Sequence, residues 1–163
     1  MRELIDEDRN NPDIQAVAAH IFRREGLHNP RDYVDRAAAI HRWVRDGMIY
    51  VHEPVEKFMR PRRSVLQEWY RFGDCDCKVL ACATLHESVG YPTELEALGW
   101  DVFQHVFHWV GVPPGKGARG VQRVYACETT LPVDFGWNPR EALERRHASG
   151  LGPVAGLAEL PGA

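Results

Sequence analysis

The chain has 163 residues, 44% of them hydrophobic and 26% charged, the size and balance of one globular domain that needs neither a metal nor a disulfide to fold. A net charge of −3 offers no broad basic field and argues against a nucleic-acid partner. No window approaches the roughly 18 apolar residues of a membrane span, and the charged opening stretch MRELIDEDRNNPD lacks the apolar segment of a signal peptide, so a cytoplasmic protein without membrane contact is expected.

A first helix is predicted from Asp13 to Arg24, capped by Asp13, with Ile14, Val17, Ala18, Ile21 and Phe22 on one stripe and Gly26 as its stop. Asn29-Pro30 opens a second helix, asparagine as cap and proline at the first position. Its face is lined by Val34, Ala37, Ala38, Ile40, His41 and Val44, and Gly47 ends it. Met48 to Val51 is compatible with a short strand, and Glu53 to Met59 reads as loop. The basic run Arg60-Pro61-Arg62-Arg63 reads as a solvated loop, and Ser64 to Tyr70 as a helical turn.

A third helix is expected from Asp74 to Val89, closed by Gly90-Tyr91-Pro92. Glu94 to Leu98, Val102 to Val112 and Val121 to Cys127 have strand composition, the last two joined through the turn cluster 113–117. Beyond Pro139, Glu141 to His147 is a short charged helix candidate, followed by a Gly-, Pro- and Ala-rich tail. Helices first and an antiparallel meander afterwards define an α+β fold. The expected organisation is a single domain over 1–140 and a partly extended C-terminal tail over 141–163.

Chemistry concentrates in Gly73-Asp74-Cys75-Asp76-Cys77-Lys78, at the start of the third helix. There, unpaired N–H groups and the positive end of the helix dipole favour thiolate over thiol and can receive an oxyanion. Gly73 allows close approach of substrate and backbone, while the charges of Asp74 and Asp76 oppose thiolate formation and call for a cationic histidine nearby. A free cysteine is otherwise most often a small buried hydrophobe. Downstream, Gln104-His105-Val106-Phe107-His108 and Ala126-Cys127-Glu128-Thr129-Thr130 supply an imidazole and a carboxylate on adjacent strands. A carboxylate bonded to one ring nitrogen fixes the tautomer and stabilises the imidazolium formed when the thiol gives up its proton. His105 and His108 are three apart and face opposite sides of their strand, so only one can meet Cys75. Trp69 and Tyr70, just before the nucleophile, are candidates for the substrate cleft together with Gly73 and Asp74.

Zinc is the competing reading of Cys75, Cys77, Cys82 and His86. On a helix, however, Cys75 and Cys82 lie two turns, about 10 Å, apart, too far for one tetrahedral ion. Cys82 and His86 could share a metal at i, i+4, but two further ligands would have to come from elsewhere. No metal and no cofactor are therefore expected. Three of the four cysteines fall within Cys75–Cys82, which is no disulfide framework and points to free thiols in a reducing compartment.

From about Ile40 to Pro132 the chain resembles the transglutaminase-like superfamily. The matching pieces are Ile40-His41-Arg42-Trp43-Val44, Ile49-Tyr50, Gly73-Asp74-Cys75-Asp76-Cys77-Lys78, Gly90-Tyr91-Pro92, His105-Val106 and Glu128-Thr129-Thr130. The resemblance implies a papain-like core, a cysteine-bearing helix packed on an antiparallel sheet that carries histidine and acid. It implies Cys75 as nucleophile, His105 as base and Glu128 as the group orienting the histidine, in acyl transfer on an amide. Two positions depart from the family pattern: Glu128 stands where aspartate is usual, and Cys77 where a second acid is common. Small stand-alone members occur in bacterial and phage genomes, which would make the protein virion-associated if of phage origin. The expected partner is a peptide or protein amide substrate; the alternative is a catalytically silent binding or assembly module on the same fold.

Overall fold

Ten consecutive residues, Cys77 to His86, are buried, Lys78, Thr84 and His86 among them. A helix covered on every side must lie at the centre of the structure, with the other elements arranged around it. The computed structural model describes residues 1–52, 58–100, 103–114 and 122–150, apart from the side chains of Trp100, Phe103 and Gln104. Its elements are α1 (Arg2–Asp8), α2 (Pro12–Arg24), α3 (Tyr33–Gly47), β1 (Ile49–Tyr50), α4 (Pro61–Leu66), a 3-10 turn (Glu68–Tyr70), β2 (Phe72–Gly73), α5 (Cys75–Ser88), β3 (Thr93–Trp100), β4 (Phe103–Val112), β5 (Arg123–Cys127) and α6 (Pro139–Ala148). The fold is α+β: helices pack on a three-stranded antiparallel sheet of order β3-β4-β5. A separate parallel bridge joins β1 to β2, pairing Tyr50 with Gly73.

One face of the sheet, with Val110, Val112 and Cys127, joins Ile14, Ile21, Ile40, Val44, Cys82 and Leu85 of α2, α3 and α5 in the main core. A second cluster unites Leu98, Phe107 and Ala126 with Leu131, Val133, Ala142 and Leu143. Thus α6 is docked by Ala142 and Leu143 and by an ion pair from Arg140 to Glu96. Of the stretch read as a tail, residues 141–148 belong to this helix, and 151–163 lie outside the described residues.

Local chemistry moved several expected boundaries. Asn11, not Asp13, caps α2, its side chain accepting from the Asp13 N–H. Asn29 accepts from the Arg31 N–H and donates to Asp32 at 2.8 Å. It thereby builds a turn ahead of α3, which begins only at Tyr33. The basic run is not a free loop: Pro61 starts α4, Arg62 N–H donates to Asp8 at 3.0 Å, and Arg60 pairs with Glu7. The opening stretch also forms a helix that its charge pattern concealed. Within α1, Ile5 is fully buried against Leu80 and Ala83, and Arg2 holds Glu87 at the end of α5. Ile5→Val should lower stability by about 0.5–1.5 kcal/mol, read as a shift of the urea midpoint at unchanged slope.

Lys78 bridges α5 to the end of α3. Its Nζ donates to the carbonyls of Arg45 (3.0 Å), in the last turn of α3, and Met48 (2.9 Å), just past its end, where carbonyls lack helical partners. Burial pulls this ammonium below its ordinary pKa, partly offset by the charges of Glu128 and Asp46. No described helix is long and apolar enough to cross a membrane.

Candidate functional site

Cys75 is the first residue of α5, and the Asp74 side chain caps the helix by accepting from Cys77 N–H at 3.3 Å. The chain enters through Gly73 at φ +149°, where a Cβ would stand 2.4 Å from the Cys77 Cβ. Glycine is therefore demanded twice, by the dihedral and by the space. Cys75 is half-buried, and backbone N–H groups of Val106 and Asp76 point at its sulfur. Burial nevertheless pushes the thiol up to about 11; those two N–H groups oppose the rise, and the carboxylates of Asp76 and Asp74 add to it. Desolvation and the two carboxylates thus work against a thiolate, the carboxylates in the direction expected from their charge.

His105 and Glu128 are both buried, and His105 Nε2 lies 2.5 Å from Glu128 Oε2. The other carboxylate oxygen accepts from the N–H groups of Thr130 (2.5 Å) and Leu131 (3.2 Å). Burial raises the Glu128 pKa, but the bonds from His105, Thr130 and Leu131 together outweigh it and keep the group ionised below its ordinary range. The backbone of Glu128 is held as well: His41, fully buried on α3, donates from Nε2 to the Glu128 carbonyl at 2.5 Å. Both carboxylate oxygens and the carbonyl of Glu128 are therefore held by donors, which suits a group whose task is to orient another.

His108 goes elsewhere. It is fully buried, with Nε2 3.1 Å from His86 Nδ1 on α5. Of the cleft candidates, Trp69 is open to solvent at 76% exposure, and Tyr70 stacks on Phe72 with ring centroids 6.4 Å apart. Ile49, Tyr50, Val51 and Phe72 are also exposed, making the β1–β2 edge beside Gly73 apolar. Burial, then the nearby charges of Cys75, Asp74 and Asp76, raise the Tyr50 phenol. The pairing of Tyr50 with Gly73 brings Tyr50 to the stretch that leads into Cys75. A cavity of about 320 Å³ lined by Arg24, Glu25, Arg42, Trp43, Asp46 and Arg71 contains none of Cys75, His105 or Glu128.

Among solved structures, the chain is similar to a protein from Cytophaga hutchinsonii provisionally described as a cysteine protease, with a TM-score of 0.51 and 10% sequence identity. What the two share is the fold. The likeness covers 73% of this chain and 39% of that one, so the chain spans well under half of its neighbour's length. No family model matches the sequence, and neither does any curated protein. The likeness concerns the arrangement of helices on an antiparallel sheet.

Proposed function

We propose that the chain is a thiol-dependent acyl-transfer enzyme of the transglutaminase-like kind, acting on a peptide or protein amide through Cys75, His105 and Glu128. Two observations support the reading: the buried His105–Glu128 bond, and the N–H of Val106, the residue after His105, which points at the Cys75 sulfur. Because Glu128 binds Nε2, the proton sits there and Nδ1 is the basic nitrogen. His105 Nδ1 takes the Cys75 proton as sulfur attacks the amide carbonyl carbon. The new S–C bond forms while the carbonyl π pair moves onto oxygen, whose negative charge is favoured by the positive end of the α5 dipole. Collapse breaks the C–N bond, the imidazolium gives its proton to the departing amine, and a thioester remains. Water or a second amine then attacks that thioester, His105 again acting as base, and the thiol is restored. The exposed apolar side chains of Tyr50, Phe72 and Trp69 suit the walls of a cleft for an extended peptide.

The raised thiol pKa adds a signature. Cys75 rests protonated at neutral pH, so its alkylation by iodoacetamide should climb about tenfold per pH unit through the neutral range. A preformed thiolate–imidazolium pair would instead give a plateau. Peptide mapping after alkylation should find Cys75 modified well before buried Cys77, Cys82 and Cys127. Cys75→Ala should retain the native circular dichroism and turn over no peptide or isopeptide amide. A native protein in which Cys75 resists alkylation at every pH tested would instead be a silent binding module.

A further inference from the structure

Four buried ligand-type side chains converge away from Cys75. Cys82 and His86 lie one turn apart on α5, while His108 and Cys127 are direct cross-strand partners on β4 and β5. Their Sγ and ring-nitrogen atoms all lie within 4.8 Å of one another. The two sulfurs are 3.6 Å apart, the facing nitrogens of His86 and His108 3.1 Å, and Cys82 Sγ to His86 Nδ1 3.9 Å. A tetrahedral ion with Zn–S near 2.3 Å and Zn–N near 2.05 Å has edges of about 3.8, 3.3 and 3.6 Å for those same pairs. The donors therefore stand almost where such an ion would hold them.

The surroundings of His86 agree. His86 Nε2 donates to the Ala37 carbonyl at 3.1 Å, so its proton is on Nε2 and the Nδ1 lone pair faces the cluster. A backbone carbonyl orienting a metal-bound imidazole is the usual outer contact at such sites. Two thiolates match the charge of a divalent cation and leave a neutral centre, suited to a setting that includes Leu85, Tyr91 and Val110. Two sulfurs and two imidazoles select zinc over hard cations, and four protein donors leave no coordination position open.

We propose that Cys82, His86, His108 and Cys127 bind one zinc ion as a closed structural site. On binding, both thiols release their protons, two sulfur and two nitrogen lone pairs form the four bonds, and no electron is transferred. The ion ties together α5, β4 and the end of β5, the elements that carry Cys75, His105 and the residue preceding Glu128. The proposal stands apart from the catalytic reading, because its test reads metal rather than turnover.

The full chain, purified without a metal-binding tag and desalted, should carry one zinc per molecule by elemental mass spectrometry. Cys75→Ala should keep that zinc and Cys127→Ser should lose it. Should Cys127→Ser fail to fold, the wild type answers alone. Exchange with cobalt should produce the visible bands of a tetrahedral thiolate-bound ion, and returning zinc to stripped protein should raise its melting temperature with concentration. Native protein that takes up neither zinc nor cobalt overturns the proposal, as does zinc that Cys75→Ala removes. A Cys82–Cys127 disulfide found in the freshly isolated chain overturns it too.

Discussion

Glu128→Gln is expected to cut turnover by about 10⁴-fold while leaving the fold in place. The size follows from the bonding around the side chain. One carboxylate oxygen is held by the N–H groups of Thr130 and Leu131, so the glutamine carbonyl must remain there. The amide NH2 is then turned toward His105 Nε2 and donates to it. That moves the imidazole proton to Nδ1, the nitrogen that has to accept from Cys75, and also removes the charge that stabilises the imidazolium. The loss should fall on kcat rather than KM, since no substrate contact changes. A companion effect appears in acid. Glu128 sits below its ordinary value of 4.5 in the folded chain, so below that value the unfolded state binds more protons. The stabilisation is complete above about pH 4.5 and is lost as pH falls below it. Glu128→Gln should remove that portion of the acid sensitivity, seen by comparing urea midpoints from pH 7 downward. Turnover within tenfold of wild type would remove Glu128 from the mechanism.

Gly73→Ala should destabilise the protein by about 2–6 kcal/mol and abolish measurable turnover. Two costs combine: a backbone dihedral that an alanine rarely adopts, about 1–3 kcal/mol, and a methyl placed 2.4 Å from the Cys77 Cβ, another 1–3 kcal/mol by overpacking. Relief requires either the chain ahead of Cys75 or the first turn of α5 to move, and both carry the sulfur with them. Activity should therefore vanish at temperatures where circular dichroism still reports folded protein. A Gly73→Ala variant of native stability and rate would mean that the entry to α5 yields easily.

The helices and the hairpin were legible because their apolar residues repeat at helical or strand spacing, as Ile14, Ala18 and Ile21 do in α2. The opening helix was not, because Ile5 is a single core residue amid charges and takes its meaning only from Leu80 and Ala83 far along the chain. The candidates Cys75, His105 and Glu128 rest on local context, namely a glycine before a helix start, a histidine in a strand and an acid after one, and the structure bonds the last two to each other. His41 could not be found in that way. It reads as one more residue on the inner face of α3, and its bond to the Glu128 carbonyl exists only once α3 is packed on the end of the sheet. The same limit applied to the second cysteine–histidine cluster. Helical spacing paired Cys82 with His86 and ruled out Cys75, but the remaining two donors come from cross-strand neighbours on β4 and β5, whose register no helical count contains.

Because Cys77 to His86 are all buried between helices and sheet, the body of α5 cannot shift without disturbing the packing of the elements around it. Inactivation on heating should consequently coincide with global melting, as one event in a calorimeter and an assay run side by side.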